Sequence, residues 1–295
     1  MNGNIKIMIK SLIKLMKINH YIKNAICFVP LIFSLKFLEA QSFIAEFLMF
    51  VSFCLISSSV YVLNDIFDAK ADRLHQNKKF RPVASGKISI KTAILFMILL
   101  FTLSIFASLY INPLCTLIIV SYFILNIFYT LYFKHIEILD VVSIALGFVL
   151  RILAGCSAIM VPPSALVILL TFFVSMLFTF SKRKLEMKLL IEPARCRKSI
   201  SKFTPELLNQ FVLINAVLSI SFYFTYVMDV HTIEKTGAQY LYISAIPFTL
   251  IIFRLLFLMN TEQKSDDPSD FIYKDKMLKI LFLAYFIVLM ISFVI

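Results

Sequence analysis

FIAEFLMFVSFCLISSSVYVLNDIFDAKADRLH, residues 43–75, sets an apolar run directly against a group of carboxylates. The run 43–63 matches the ~20 residues that a helix needs to cross the hydrocarbon of a bilayer. The rest of the chain repeats the apolar half of this pattern. Of its 295 residues 60% are hydrophobic and only 16% charged, with a mean hydropathy of +0.90. A water-soluble domain averages about 45–50% apolar and about 25% charged residues. So much Phe, Ile and Leu has no interior to fill in a soluble fold of this size, and the chain reads as an all-α, polytopic membrane protein.

Nine spans are expected, at roughly 22–38, 43–63, 92–110, 114–133, 140–160, 163–181, 206–228, 239–259 and 277–295. Short turns at Asn112-Pro113 and Pro162-Pro163 make antiparallel neighbours. No segment is left for a second, soluble domain, so residues 1–295 are expected to form a single transmembrane helical domain. Basic residues fix the orientation. Lys6, Lys10, Lys14, Lys17 and Lys23, the loop from Lys70 to Lys91, Lys134, the loop from Lys182 to Lys202, and Lys264 to Lys279 all fall on one side. The other side carries only Lys36 and Lys235. The positive-inside rule then makes the N-terminus cytoplasmic and the C-terminus external, in the cell (inner) membrane. The net charge of +12 is mostly this orientation signal. It comes with no groove-reading module, so a nucleic-acid partner is not expected. The basic, amphipathic N-terminus lacks a small-residue cleavage site and is not read as a removed signal peptide.

The carboxylates carry the chemistry. Asp65, Asp68 and Asp72 stand at i, i+3 and i+7, one face of a helix, with Asn64 on an adjoining stripe. Three like charges at one helix end need compensation. Hard oxygen ligands suit Mg2+, which keeps much of its water and is completed by substrate phosphates. Lys78, Lys79 and Arg81 follow before Pro82 and an Ala84-Ser85-Gly86 turn. Cations there neutralise phosphate charge left over by a metal, although some of them simply face the cytoplasm or anionic lipid. The pattern points to a metal–diphosphate site on the cytoplasmic side; the bland alternative is a solvated acidic helix end.

A second polar stripe runs along span five through Asp140, Ile144, Gly147 and Arg151. Arg151 lies about 16 Å along the axis from Asp140 at ~1.5 Å per residue. A charge at that depth costs at least ~2.5–3.5 kcal/mol, so it should face the interior and meet an anion or a packing partner. Gly147 and Gly155 read as sites of close helix approach. Elsewhere, Lys23 and Asn24 open span one, and Lys182-Arg183 with Glu186 close span six. Arg254 is expected to snorkel, and Asp266, Asp267, Asp270 and Asp275 to be mostly solvated. Five scattered cysteines contain no CxxC and read as buried apolar residues. His20, His135 and His231 form no ligand spacing, and there is no P-loop, dinucleotide fingerprint or Ser/His/Asp set.

Asn64-Asp65-x-x-Asp68-x-x-x-Asp72 resembles the first Asp-rich motif of the UbiA superfamily of intramembrane prenyltransferases. Within it the chain looks most like the polyprenyl-phosphate phosphoribosyltransferase branch, typified by decaprenyl-phosphate phosphoribosyltransferase. The resemblance runs through Tyr21-x-Lys23-Asn24, Asp72-Arg-x-His75, Lys78-x-x-Arg81-Pro82-x-Ala84-Ser85-Gly86, Lys134 with Asp140, Phe148-x-Leu-Arg151-x-x-Ala154-Gly155 and Lys182-Arg183-x-x-Glu186. It implies nine transmembrane helices around a central cavity. It implies Mg2+ on Asp65, Asp68 and Asp72, phosphoribosyl pyrophosphate as donor and a polyprenyl phosphate as acceptor. Lys23, Lys134 and Arg151 would then contact the acceptor phosphate or the sugar 5-phosphate. Asn24, Lys78, Arg81, Asp140, Lys182, Arg183 and Glu186 are further substrate-binding candidates. The second DxxxD motif of aromatic prenyltransferases is incomplete here, because Ile144 stands four residues after Asp140. Two other readings remain: an aromatic prenyltransferase using a polyprenyl diphosphate, and a transporter of lipid phosphates or anions.

Overall fold

The computed structural model describes residues 2–74, 77–189, 202–261 and 268–294. His75, Arg195, Cys196, Arg197, Lys198, Lys264, Asp266 and Asp267, to which the sequence gave roles, lie outside the described residues. The described chain is helical and contains no strand. In order, its α-helices are α1 (Asn2–Met16), α2 (Val29–Phe33), α3 (Ala40–Phe67), α4 (Ala69–Leu74), α5 (Ile90–Ile111), α6 (Pro113–Leu131) and α7 (Leu139–Ala158). They continue with α8 (Ala165–Leu189), α9 (Pro205–Met228), α10 (Val230–Thr236), α11 (Ala245–Thr261), α12 (Ser269–Lys274) and α13 (Lys276–Val294).

Eight of the expected spans are helices long and apolar enough to cross a bilayer. The remaining one, expected at 22–38, is built differently. Residues Ile18–Phe28 form a 3-10 helix that passes into the short α2, where Pro30 sits near the N-terminus and sacrifices no intrahelical donor. A 3-10 helix rises ~2.0 Å per residue against ~1.5 Å, so these sixteen residues extend roughly 30 Å, about the thickness of the hydrocarbon layer. Hydropathy registers this segment as a span but cannot register its tighter winding.

Two compact units emerge, one of residues 1–131 and 150–162, the other of 132–149 and 163–295. In the first, α3 is the central element and packs on α1, α5 and α6. Lipid supplies no hydrophobic drive between helices, so contact relies on small residues and interhelical hydrogen bonds. Ser52 and Ser104 do both: each hydroxyl donates to the other's carbonyl oxygen, at 2.9 and 2.8 Å. One heptad on, the Ser59 hydroxyl donates to the Met97 carbonyl at 3.0 Å. Leu15, Val62, Val83 and Leu100 form one core cluster; Cys27, Phe53, Ile119, Tyr122 and Ala154 form another. In the second unit the core gathers Leu177, Phe180, Leu208, Leu255, Phe271 and Leu278 around α8, α9, α11 and α13. Along their apolar spans α5 and α13 have only 17% of their residues buried, as lipid-facing helices should. Cys27, Cys54, Cys115 and Cys156 are buried free thiols, in keeping with the packing role expected of them.

Gly155 marks a close approach within the first unit. A Cβ there would collide with the Cys27 carbonyl oxygen and stand 3.0 Å from Glu46 Oε1. The obstacle is backbone and cannot swing aside. Gly155→Ala is therefore expected to destabilise the protein by about 1–3 kcal/mol, read as a lowered midpoint of thermal unfolding in detergent. An unchanged midpoint would mean that the two segments are not in contact.

Candidate functional site

The carboxylate stripe lies across a junction, not on one uninterrupted helix. α3 ends at Phe67, Asp68 is its C-cap, and α4 begins at Ala69. The backbone nevertheless stays close to helical, because the Asp68 N–H donates to the Asn64 carbonyl and the Asp72 N–H to the Asp68 carbonyl. Asp65 and Asp72 are almost fully buried, 1% and 4% exposed, while Asp68 is half-buried. Arg81 draws the first two together: its Nη1 lies 3.3 Å from Asp65 Oδ1 and 2.8 Å from Asp72 Oδ2. The Asn64 side chain accepts a hydrogen bond from the Thr130 hydroxyl, which fixes it from α6.

Arg81 reaches this point because of the turn that follows it. Pro82, Val83 and Ala84 are buried. The Ile88 N–H folds back onto the Pro82 carbonyl, and Gly86 takes φ +76°, a left-handed backbone that glycine adopts without strain. The Pro-x-Ala-Ser-Gly run is thus the support of the arginine.

Lys17 is the residue that sequence reasoning assigned only to orientation. It ends α1 in a left-handed conformation, φ 51°, which is unfavourable for a side chain with a Cβ. That turn places Nζ 2.9 Å from Asp65 Oδ1 and 5.1 Å over the Tyr61 ring. Two further bonds tie the segment to α3: Ser58 Oγ donates to the Met16 carbonyl, and Tyr21 and Ser58 share a hydroxyl contact at 2.8 Å. Charge balance was the available signal, since buried carboxylates require cations from the same membrane side, and the N-terminal lysines lie on it.

Two buried carboxylates two helical turns apart therefore converge on one guanidinium nitrogen, with an ammonium on one of them. Hard oxygen donors gathered around a positive point fit a divalent cation and a diphosphate, although no group of three His, Cys, Asp or Glu side chains among the described residues has ligand geometry. The UbiA prenyltransferase family model matches residues 27–283. The chain belongs to the UbiA prenyltransferase family. It is thus a multi-pass membrane transferase. Decaprenyl-phosphate phosphoribosyltransferase of Mycolicibacterium smegmatis is 30% identical over 243 residues, covering 80% of this chain and 76% of that one. The enzyme of the same name from Corynebacterium glutamicum is 30% identical over 239 residues, covering 80% and 72%. The fold matches a UbiA homologue from Archaeoglobus fulgidus, bound to GPP and Mg2+, with TM-score 0.68 at 17% identity over 96% of this chain and 97% of that one.

In this UbiA-family chain Arg151 is 6% exposed, so it does face inward as expected. Its Nε donates to Asn24 Oδ1 at 2.8 Å and its Nη2 to the Tyr122 hydroxyl at 3.0 Å. The rings of Phe53 and Tyr122 stand 5.2 and 4.8 Å from the guanidinium carbon. Asn24 in turn donates to Ser57 Oγ at 3.2 Å, so it links α3 to Arg151. Lys23 and Lys78 are half-buried in the same unit.

The second unit holds its own polar cluster. Arg183 grips Asp140 with two bonds, Nε to Oδ2 at 2.7 Å and Nη2 to Oδ1 at 3.1 Å, and its Nη1 bonds Glu186 Oε2 at 2.7 Å. Arg183 and Asp140 are each 2% exposed. Glu186 thus pairs with Arg183, three residues away on the same helix. Lys184 is buried and donates to Asn260 Oδ1 at 2.7 Å. Lys134 and Lys182 are half-buried.

Asp275 departs from the solvated reading. Arg254 donates to it twice, at 3.2 and 2.7 Å, and its Oδ1 caps α13 by accepting the Leu278 N–H. These bonds, Arg254's first, hold the Asp275 carboxyl below its ordinary value. A lowered folded value adds stability above the unfolded pKa of ~3.9 and loses it as the pH falls through the folded value. Asp275→Asn keeps a capping side chain but removes the charge. It should lower the unfolding midpoint at about pH 7, and the gap to the wild type should close below about pH 4. A gap independent of pH would exclude the ion pair as its source.

Proposed function

We propose that the chain moves a phosphoribosyl group from phosphoribosyl pyrophosphate to a polyprenyl phosphate and releases pyrophosphate. The reaction depends on Mg2+ and runs at the cytoplasmic face of the cell membrane, with the N-terminus on that side and residues 1–295 acting as one transmembrane domain. The observation that carries this reading is the convergence of buried Asp65 and Asp72 on Arg81 beside Lys17, in a chain alike over 80% of its length to decaprenyl-phosphate phosphoribosyltransferases.

Asp65, Asp68 and Asp72 are assigned to Mg2+, which would screen the charge gathering on the leaving pyrophosphate. Asn64, held by Thr130, orients that group. Arg81, Lys17 and Lys78 neutralise phosphate oxygens, and their fixed positions favour the developing charge of the transition state. In the reaction an oxygen of the acceptor phosphate forms a bond to the sugar C1. The bond from C1 to the pyrophosphate oxygen breaks, and that oxygen keeps the electron pair. The acceptor is already an anion, so no general base is required. Asn24 and Arg151 belong to the substrate-binding set together with Lys23; of these, Asn24 positions Arg151. For the second unit, Lys134, Asp140, Lys182, Arg183 and Glu186 are assigned to substrate binding. The isoprenoid tail lies in the bilayer.

A second reading, prenyl transfer from a polyprenyl diphosphate, draws on the same carboxylates and on the fold shared with a homologue bound to GPP and Mg2+. Purified protein with Mg2+, radiolabelled phosphoribosyl pyrophosphate and a polyprenyl phosphate separates the two. Label entering the lipid phase, lost in Asp68→Ala and Arg151→Ala, is the expected result. No transfer, together with prenylation of a hydroxybenzoate, would replace this reading with the second; equal turnover in all three proteins would remove both residues from the site.

A further inference from the structure

At the end of α3 remote from Asp65, the first unit contains a cleft of about 640 Å3. Ser42 and Asp65 are twenty-three residues apart on the helix, so the cleft lies roughly 35 Å from the carboxylates at ~1.5 Å per residue. It therefore sits at the opposite membrane boundary and outside the proposed chemistry. Lys36 and Glu39 both line it, three residues apart, and each bonds a different group. The Lys36 ammonium donates to the Ile159 carbonyl at 3.3 Å, and Glu39 Oε2 accepts from the Ser42 hydroxyl at 2.8 Å. Each charge is thus held by a neutral partner, with hydrogen-bonding capacity to spare.

The remaining lining has two characters. The Gln41 amide and the Tyr110 hydroxyl also line the cleft and can donate, whereas Ile44 and Met160 are apolar and 59% and 87% exposed. Such exposure at the edge of a bilayer is a wall against acyl chains. A ligand suited to this cleft carries an anion and a cation a few bonds apart and an apolar tail alongside.

We propose that the cleft binds the headgroup of a zwitterionic phospholipid bearing a primary amine. The phosphodiester takes Lys36, with Gln41 and Tyr110 as further donors, and the ammonium takes Glu39. The acyl chains run down the lipid-facing side past Ile44. An anionic phospholipid with a glycerol headgroup would satisfy Lys36 but offer Glu39 hydroxyl donors in place of an ammonium, and the missing ion pair gives the site its selectivity.

Native mass spectrometry of the purified full chain, offered equal amounts of phosphatidylethanolamine and phosphatidylglycerol, tests this. Wild type should retain the ethanolamine lipid about fivefold better, the size of one partly exposed ion pair. Glu39→Gln should abolish that preference while leaving phosphatidylglycerol binding intact. Lys36→Ala should weaken both lipids, and Lys36→Arg should keep the wild-type pattern. Equal retention of the two lipids by wild type, or a preference for phosphatidylglycerol, overturns the proposal without recourse to any variant. Retention of the preference in Glu39→Gln overturns it as well.

Discussion

Asp65→Asn is expected to lower kcat/KM for transfer by about two to three orders of magnitude. The substitution preserves shape and removes one negative charge at the most enclosed point of the site, where the carboxyl is 1% exposed. That charge now holds both Lys17 and Arg81. Without it the two cations lose their shared anchor, and the oxygen set left for a divalent cation falls to Asp68 and Asp72. The defect should be partly relieved by raising Mg2+, because a weakened metal site is filled by mass action. Lys17→Met, by contrast, leaves the carboxylates in place and should raise KM for the diphosphate substrate more than it lowers kcat. Steady-state rates with labelled donor across a Mg2+ titration distinguish the two. Activity of Asp65→Asn within threefold of wild type would remove this carboxylate from the chemistry.

Arg183→Met should cost about 3–5 kcal/mol of stability, the penalty of breaking a buried ion pair from one side. Asp140, 2% exposed, would lose both of its bonds to Arg183, and Glu186 would lose one. Loss of helical circular dichroism on heating in detergent gives the readout. The midpoint should fall by about 10 °C. The double variant Asp140→Leu/Arg183→Met removes both charges and should recover most of the loss. Transfer activity in that stable double variant then separates the assignments. Retained activity makes the pair a structural clamp, and lost activity ties it to substrate.

The spans, the membrane class and the carboxylate motif were legible because each depends on residues close together in the chain. The inward position of Arg151 and the close approach at Gly155 were legible too, since depth along a helix follows from counting residues. The partners were not. Asp65 meets Lys17 across 48 residues, Asp140 meets Arg183 across 43, and Arg254 meets Asp275 across 21. The 3-10 winding of Ile18–Phe28 escaped notice for a related reason, because hydropathy measures composition and is blind to residues per turn.

By itself the sequence determined that this chain crosses a membrane repeatedly and which of its carboxylates gather at a helix end. Free energies of transfer and helical spacing are local properties, written residue by residue. Tertiary structure alone decided which cation answers each carboxylate, which loop aims Arg81, and that Lys36 shares a cleft with Tyr110 and Met160. Those outcomes turn on distances of a few ångströms between segments far apart in the chain, and packing sets such distances only once the helices are in place.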